Sequence, residues 1–299
     1  MARSADWHRD GINGADIAGV VGLSTWASPY SVWAAKVGRL RRSPAPTAQP
    51  STVLLAAAAG VIEQTTRLHV TLDAGRVSRP GMDWCRAELD GHIHPRRRQA
   101  ATDGGLTIRA VNQLRWPDGP APAERCEAQW NMTAAGLDHW WYAIVFRDLH
   151  LETFRVEHDR GLEASLLGEA CHFWQYVTDR IAPPIDDSEA TRQALKTVHA
   201  HPATGCIVEL DQADAQLVEQ RRQAKATIKT ATEHLGFVEN RLRHAIGDAT
   251  TVTIDGTPVL SYELHARRWL RPTDIARHEP ALAARLSRTS IYRAFRSLD

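Results

Sequence analysis

The chain has 299 residues, 43% of them apolar, enough to bury a substantial core in one large domain or two modest ones and to set disorder aside. Its 36 Lys and Arg offset 35 Asp and Glu for a formal net charge of +1, so binding to a polyanion has to come from a local patch and not from bulk charge. Cys85, Cys126, Cys171 and Cys206 form no C-x-x-C pair, which argues against a zinc ribbon or a disulfide framework, and neither an apolar run of membrane-spanning length nor a signal-peptide core occurs, so a cytoplasmic protein is expected.

A Gly11-Ile12-Asn13-Gly14 turn opens a short helix that Gly22 ends, and Ser28-Pro29 starts a second helix that continues through Trp33 to near Gly38. Residues 39–50 are proline-punctuated, polar and basic, the composition of a flexible connection. Ser51-Thr52 caps a third helix over 53–68 with an alanine-rich face suited to close packing. The periodicity then switches to short strands, 84–89 and 106–111, separated by a polar Gly/Pro/Arg stretch. Residues 120–136 read as a helix, 139–146 and 150–158 as a hairpin, and 159–181 as a long amphipathic helix stopped by Pro183-Pro184. Beyond the double proline, 211–247 is a long charge-rich helix, 250–255 and 259–265 form a hairpin across Asp255-Gly256, and 290–296 reads as a closing strand. The expected architecture is α+β: a central mixed sheet flanked by helices over 1–184, and a helical and hairpin extension over 185–299, packed on that core.

The chemistry centres on Asp90-Gly91 and the following strand, Gly105-Leu106-Thr107-Ile108-Arg109. A magnesium-dependent phosphodiesterase needs two or three carboxylates around an oxygen-bound cation and a cationic group that positions the attacking water. Alternate strand residues project from one face, so Thr107 and Arg109 form a same-face pair beside the Asp90 turn. Threonine is a weak neutral ligand and arginine does not release its proton near neutral pH, so the pair departs from what such a site requires. Glu88, two residues before Asp90, and Glu63, on the alanine-rich helix, are candidate replacement carboxylates, with Glu88 a further candidate metal ligand; an ordinary surface salt bridge is the competing reading for both. Loss of one ligand's worth of transition-state stabilisation, roughly 3 to 5 kcal/mol, lowers a rate about 10² to 10⁴-fold.

Elsewhere, His92-Ile93-His94 is an alternating pair suited to a transition metal, but without a third ligand at a recognisable spacing it reads as a polar loop. Arg96-Arg97-Arg98 is a compact basic cluster for phosphate contact or for solubility, and Arg9 with His8 precedes a helix start, a place for a terminal phosphate. Lysine occurs only at 36, 196, 225 and 229, an arginine bias that suits bidentate phosphate contacts and that a GC-rich genome also produces. Trp140-Trp141-Tyr142 reads as strand packing before a base-stacking platform.

Several stretches together resemble the YqaJ-type viral recombinases, relatives of lambda exonuclease within the PD-(D/E)-x-K nuclease fold. Residues 9–16 are similar to the pattern R-x-G-I-G-G-S-D, and Gly22-Leu23-Ser24 with Ser28-Pro29-Tyr30 and Trp33 to G-L-S-x-x-x-S-P-Y-x-x-W. Leu89-Asp90-Gly91 matches the acidic turn, Ala128-Gln129 with Met132 and Gly136 looks like A-Q-x-x-x-M-x-x-x-G, and Phe173-Trp174 with Pro183-Pro184 resembles the family's later landmarks. The resemblance, running from about Trp7 to the last strand, implies a restriction-endonuclease-like fold and a Mg²⁺- or Mn²⁺-dependent exonuclease trimming double-stranded DNA ends. It also implies a homo-oligomer and a single-strand annealing protein, or another phage or defence protein, as partner. Residue by residue it carries Asp90 and Gln129 over as site positions and Arg9, Asp16 and Ser24 as DNA-facing ones. It sets Thr107 and Arg109 where Glu and Lys are expected, and Ala59, with Glu63 one turn later, where the third helix would supply a carboxylate; Ala15 stands in for a serine. Three functions follow: a non-catalytic DNA-end- or partner-binding subunit, an active exonuclease with a rearranged site, or a protein-interaction scaffold. An Arg109–Asp90 ion pair filling the metal position is expected.

Overall fold

A computed structural model of the chain describes residues 7–41, 51–66, 68–72, 75–95, 104–111, 118–201, 205–269, 271–289 and 293. Two compact units emerge, Met1–Ala200 and His201–Asp299.

In the first unit, helices α1 (Gly14–Val20) and α2 (Pro29–Lys36) both start on reciprocal caps. The Asn13 side chain accepts from Ala15 N while the Asp16 carboxylate reaches back to Asn13 N, and Ser28 and Ser31 do the same one helix later. Such caps satisfy the free amides of a first turn and fix where it begins. Helix α3 (Thr52–Thr66) leads into β1 (Leu68–Thr71), followed by β2 (Gly75–Arg79), β3 (Met82–Leu89), β4 (Gly91–Pro95) and β5 (Gly104–Ala110). Then come α4 (Pro122–Ala135), the hairpin β6 (His139–Val145) and β7 (Leu151–Glu157), α5 (Arg160–Thr178) and α6 (Glu189–Val198).

The sheet has the order β1-β4-β5-β6-β7, antiparallel except for the parallel β5–β6 pair, and β2–β3 forms a separate antiparallel ribbon. This is the mixed sheet flanked by helices that the periodicity predicts. The segment with His92 and His94, expected as a loop, is strand β4, with His94 opposite His69 of β1. Its Ile93 alternates with the histidines and enters the core, which is what makes it a strand.

Alternation in β5 splits the core in two. Leu106 and Ile108 pack with Ala58, Ala59 and Ile62 of α3, and with Val70, Ile93 and Ala143, on one face. Trp140 and Tyr142 point to the other, where α4 contributes Cys126, Ala128, Trp130 and Met132. A one-residue slip of β5 would turn Leu106 and Ile108 toward α4 and put Thr107 and Arg109 into the apolar cluster, so its register is pinned.

The boundary expected at 184/185 falls later. Helix α6 lies beyond the double proline, yet Thr191 Oγ1 meets Ser28 Oγ at 2.7 Å with both residues buried, and Ala194 joins the core. The second unit holds α7 (Gln212–Ile246), the hairpin β8 (Thr251–Ile254) and β9 (Thr257–Ser261), α8 (Pro272–His278) and α9 (Pro280–Leu286). Asp255 and Gly256, at φ 49° and 78°, take the two left-handed positions of a tight hairpin turn. The strand expected over 290–296 falls, Arg293 aside, outside the described residues. No helix among them is long and apolar enough to cross a membrane.

Candidate functional site

Strand β4 meets β5 only from Gly91↔Leu106 to Ile93↔Gly104, so β5 runs past the start of its neighbour. Asp90 covers the uncovered stretch. Its N–H donates to Leu106 O at 3.0 Å, and its Oδ2 accepts from Ile108 N at 2.7 Å, replacing the strand partner that β4 does not supply. Gly91 follows because a Cβ there would stand 2.3 Å from Thr71 O, where the β1 backbone passes. Burial raises the Asp90 carboxyl above its ordinary value; the Ile108 amide and Arg109 oppose that, while Glu127 and Glu88 add to it.

Thr107 and Arg109 share the face turned toward α4, as alternation predicts. Thr107 is buried and its Oγ1 accepts from Trp140 Nε1 at 3.1 Å. Arg109 lies over the Tyr142 ring, 5.6 Å from its centroid, and its Nη2 bonds both oxygens of Glu127, 2.5 Å from Oε2. Burial alone would weaken the guanidinium's hold on its proton, but the Glu127 carboxylate outweighs it and holds the cation more firmly than usual. The expected Arg109–Asp90 bridge is therefore replaced by Arg109–Glu127. The reason is geometric: Arg109 projects from the sheet face, whereas the Asp90 carboxylate lies along the strand edge on a backbone amide. Asp90, Thr107 and Arg109 are brought together, and Glu127 joins them.

The remaining candidates go elsewhere. Glu88 accepts from Arg76 Nε at 2.8 Å, with His8 Nε2 at 3.6 Å, on the β2–β3 ribbon. Glu63 accepts from Val70 N at 2.8 Å and pairs with His69 Nδ1 at 2.7 Å, at the outer edge of β1. Ala59 is in the Leu106/Ile108 cluster, across β5 from Thr107 and Arg109. Gln129 is buried; its Nε2 donates to Glu157 O at 2.5 Å and its Oε1 accepts from Asp159 N at 2.9 Å, clasping the β7–α5 connection. Asp16 is buried in an ion pair with Lys36, whose ammonium also donates to His8 O. Ser24 Oγ accepts from Trp26 N and Ala27 N, both at 3.1 Å, in the turn before α2. Arg96, Arg97 and Arg98 lie outside the described residues, among which no group of three or more His, Cys, Asp or Glu is placed to hold a metal ion.

Arg9 borders a cavity of about 360 Å³ that also takes in Asp10, Lys36, Trp174, Thr178 and Arg180. The Lys36 ammonium is committed to Asp16; among the described residues Arg9 and Arg180 are the further cations that line this cleft, with the Asp10 carboxylate beside them.

Over 247 residues, 81% of this chain and 76% of its relative, the sequence is 23% identical to the uncharacterized protein YqaJ of Bacillus subtilis strain 168. The chain is similar to YqaJ. No protein-family model matches it. Among solved structures, LHK-Exo in complex with dAMP is similar with 17% identity and a TM-score of 0.48, over 60% of this chain and 94% of that one. A second structure of that alkaline exonuclease, from Laribacter hongkongensis, has 17% identity and a TM-score of 0.45, over 57% and 90%.

Sequence reasoning about the YqaJ-like chain missed Glu127 and Arg180. Glu127 did carry a signal, since it stands between Cys126 and Ala128, both of which are buried. A carboxylate on such a stretch demands a cationic partner, and Arg109 is that partner. Nothing in the sequence around Arg180 marks it.

Proposed function

We propose that this YqaJ-like chain is a non-cutting member of the lambda exonuclease-like nucleases, a subunit that holds double-stranded DNA ends or a partner protein engaged there. The observation that carries the reading is the Arg109–Glu127 clasp beside Asp90. Mg²⁺ and Mn²⁺ take oxygen ligands, and the residues around Asp90 do not fit one. Thr107 offers only a neutral, buried hydroxyl that already accepts from the Trp140 indole, and Arg109 brings a fixed positive charge to the face a cation would occupy. Phosphate binding asks less: cationic forks at a cleft suffice, and Arg9 and Arg180 supply them.

A second reading, an active metal-dependent exonuclease with a rearranged site, requires the Glu127 and Glu88 carboxylates to leave Arg109 and Arg76 and join Asp90. Linear duplex DNA incubated with the chain in Mg²⁺ or Mn²⁺ tests both. The first reading expects intact DNA, no heat of binding with either metal alone, and end binding that weakens steeply with salt. Metal-dependent degradation that Asp90→Ala abolishes would install the second. Absence of DNA binding even at low salt would leave a protein-interaction scaffold.

A further inference from the structure

Helix α7 is 35 residues long and none of its residues is buried. Leu217, Ile228 and Leu235 are 56%, 65% and 57% exposed, with Val238 and Leu242 also uncovered. Apart from Val218 and Phe237, its exposed large apolar residues fall on one line. Leu217, Ala224, Ile228, Ala231, Leu235, Val238, Leu242 and Ala245 follow a strict alternation of three and four residues that only Arg221 interrupts. That is the 3.5-residue repeat of a helix-on-helix seam, narrower than the stripe of a helix lying on a sheet. At 1.5 Å per residue the seam runs for roughly 42 Å. An apolar seam with this repeat is buried most completely by another helix that carries the same repeat.

We propose that α7 pairs with α7 of a second copy of this chain, in antiparallel orientation. Size and charge both select that arrangement. With Ala231 set opposite Leu235 of the other copy, Ala224 meets Leu242, Ile228 meets Val238, and Arg221 meets Ala245, so every small seam residue faces a large one, while Leu217 overhangs the end of the partner helix. The flanking positions then bring Lys225 of each copy against Glu239 of the other, while Thr232 and His234 meet their own counterparts near the two-fold axis. Glu239 also holds Arg243 of its own helix at 2.7 Å, which leaves its second oxygen for the lysine. A parallel, in-register pair instead stacks Arg221 on Arg221, leaves the alanine layers underfilled, and sets Lys225 against Gln220. The interface is closed and self-complementary, the form of a two-fold dimer. It does not depend on the nuclease reading.

Sedimentation equilibrium of the full chain tests the proposal. The wild type sediments as a dimer that Leu235→Asp dissociates, with loss of helical circular dichroism. Lys225→Glu and Glu239→Lys each weaken dimerisation several-fold, and both preserve helix propensity. The double exchange, Lys225→Glu with Glu239→Lys, dimerises more tightly than either single variant, because the opposed charges are restored in the antiparallel register alone. A monomeric wild type at tens of micromolar, an assembly that Leu235→Asp leaves intact, or a double exchange no tighter than the singles would overturn it.

Discussion

Arg109 and Glu127 stand 18 residues apart in the chain and meet on the inner face of the sheet, where their side chains are 19% and 12% exposed. A pair so placed is costly to break and cheap to replace as a whole, because the lone survivor keeps its desolvation cost without its partner. Arg109→Ala is therefore expected to lose roughly 3 to 5 kcal/mol in urea denaturation. Arg109→Met with Glu127→Leu should lie close to wild type; a double variant as unstable as the single would show that the pair does more than neutralise itself. Asp90 makes a pH prediction of definite sign. Its folded pKa is raised above the ordinary 3.8, so the stability it contributes is complete below that value and is lost as pH rises through the folded value. At neutral pH the ionised group is a net liability. Asp90→Asn, which keeps an oxygen for Ile108 N, should melt higher than wild type near pH 7, and its advantage should shrink as the medium is acidified toward pH ~4. A wild type that melts higher at neutral pH would contradict this.

Two of the acidic residues in the sequence-based site serve strand edges. Asp90 covers Ile108 N just before β4 begins, and Glu63 covers Val70 N on the outer edge of β1. Each satisfies an amide that the sheet leaves over, a task any carboxylate at that position performs and one that single-strand patterns do not reveal. Gln129 works at the same level, bracketing the end of β7 and the cap of α5 from α4. Gln129→Ala would hand Glu157 O and Asp159 N to water, at about 0.5 to 1.5 kcal/mol per hydrogen bond lost. Its measurable sign is faster amide exchange at the start of α5; unchanged exchange there would assign the clasp no weight. Strand β4 was illegible as a strand because its outer residues, His92 and His94, are polar and its length is short. Only Ile93, seated between Val70 and Leu106, marks its inner face.

At the scale of the molecule, the first unit carries both apolar clusters and closes with α6 on α2 through Thr191 and Ser28. A chain ended after Ala200 is therefore expected to unfold in one cooperative transition by calorimetry, whereas ending it after Pro184 removes the Ala194 contact and lowers the midpoint. A broad, non-cooperative melt of the longer piece would refute the assignment. From the sequence by itself came α1 to α5 and α7, the 139–158 hairpin, the Asp90-Gly91 turn and the same-face Thr107–Arg109 pair, because these rest on periodicity and on residues adjacent in the chain; α6, α8 and α9 did not. The tertiary structure alone decided that Arg109 takes Glu127 in place of Asp90, that Ala59 lies behind β5 and not beside Thr107, and that Asp16 is spent on Lys36. Each of those outcomes depends on which face of a strand or helix meets which neighbour. That is settled by how whole elements bury their apolar sides against one another, and the order of residues along one element does not contain it.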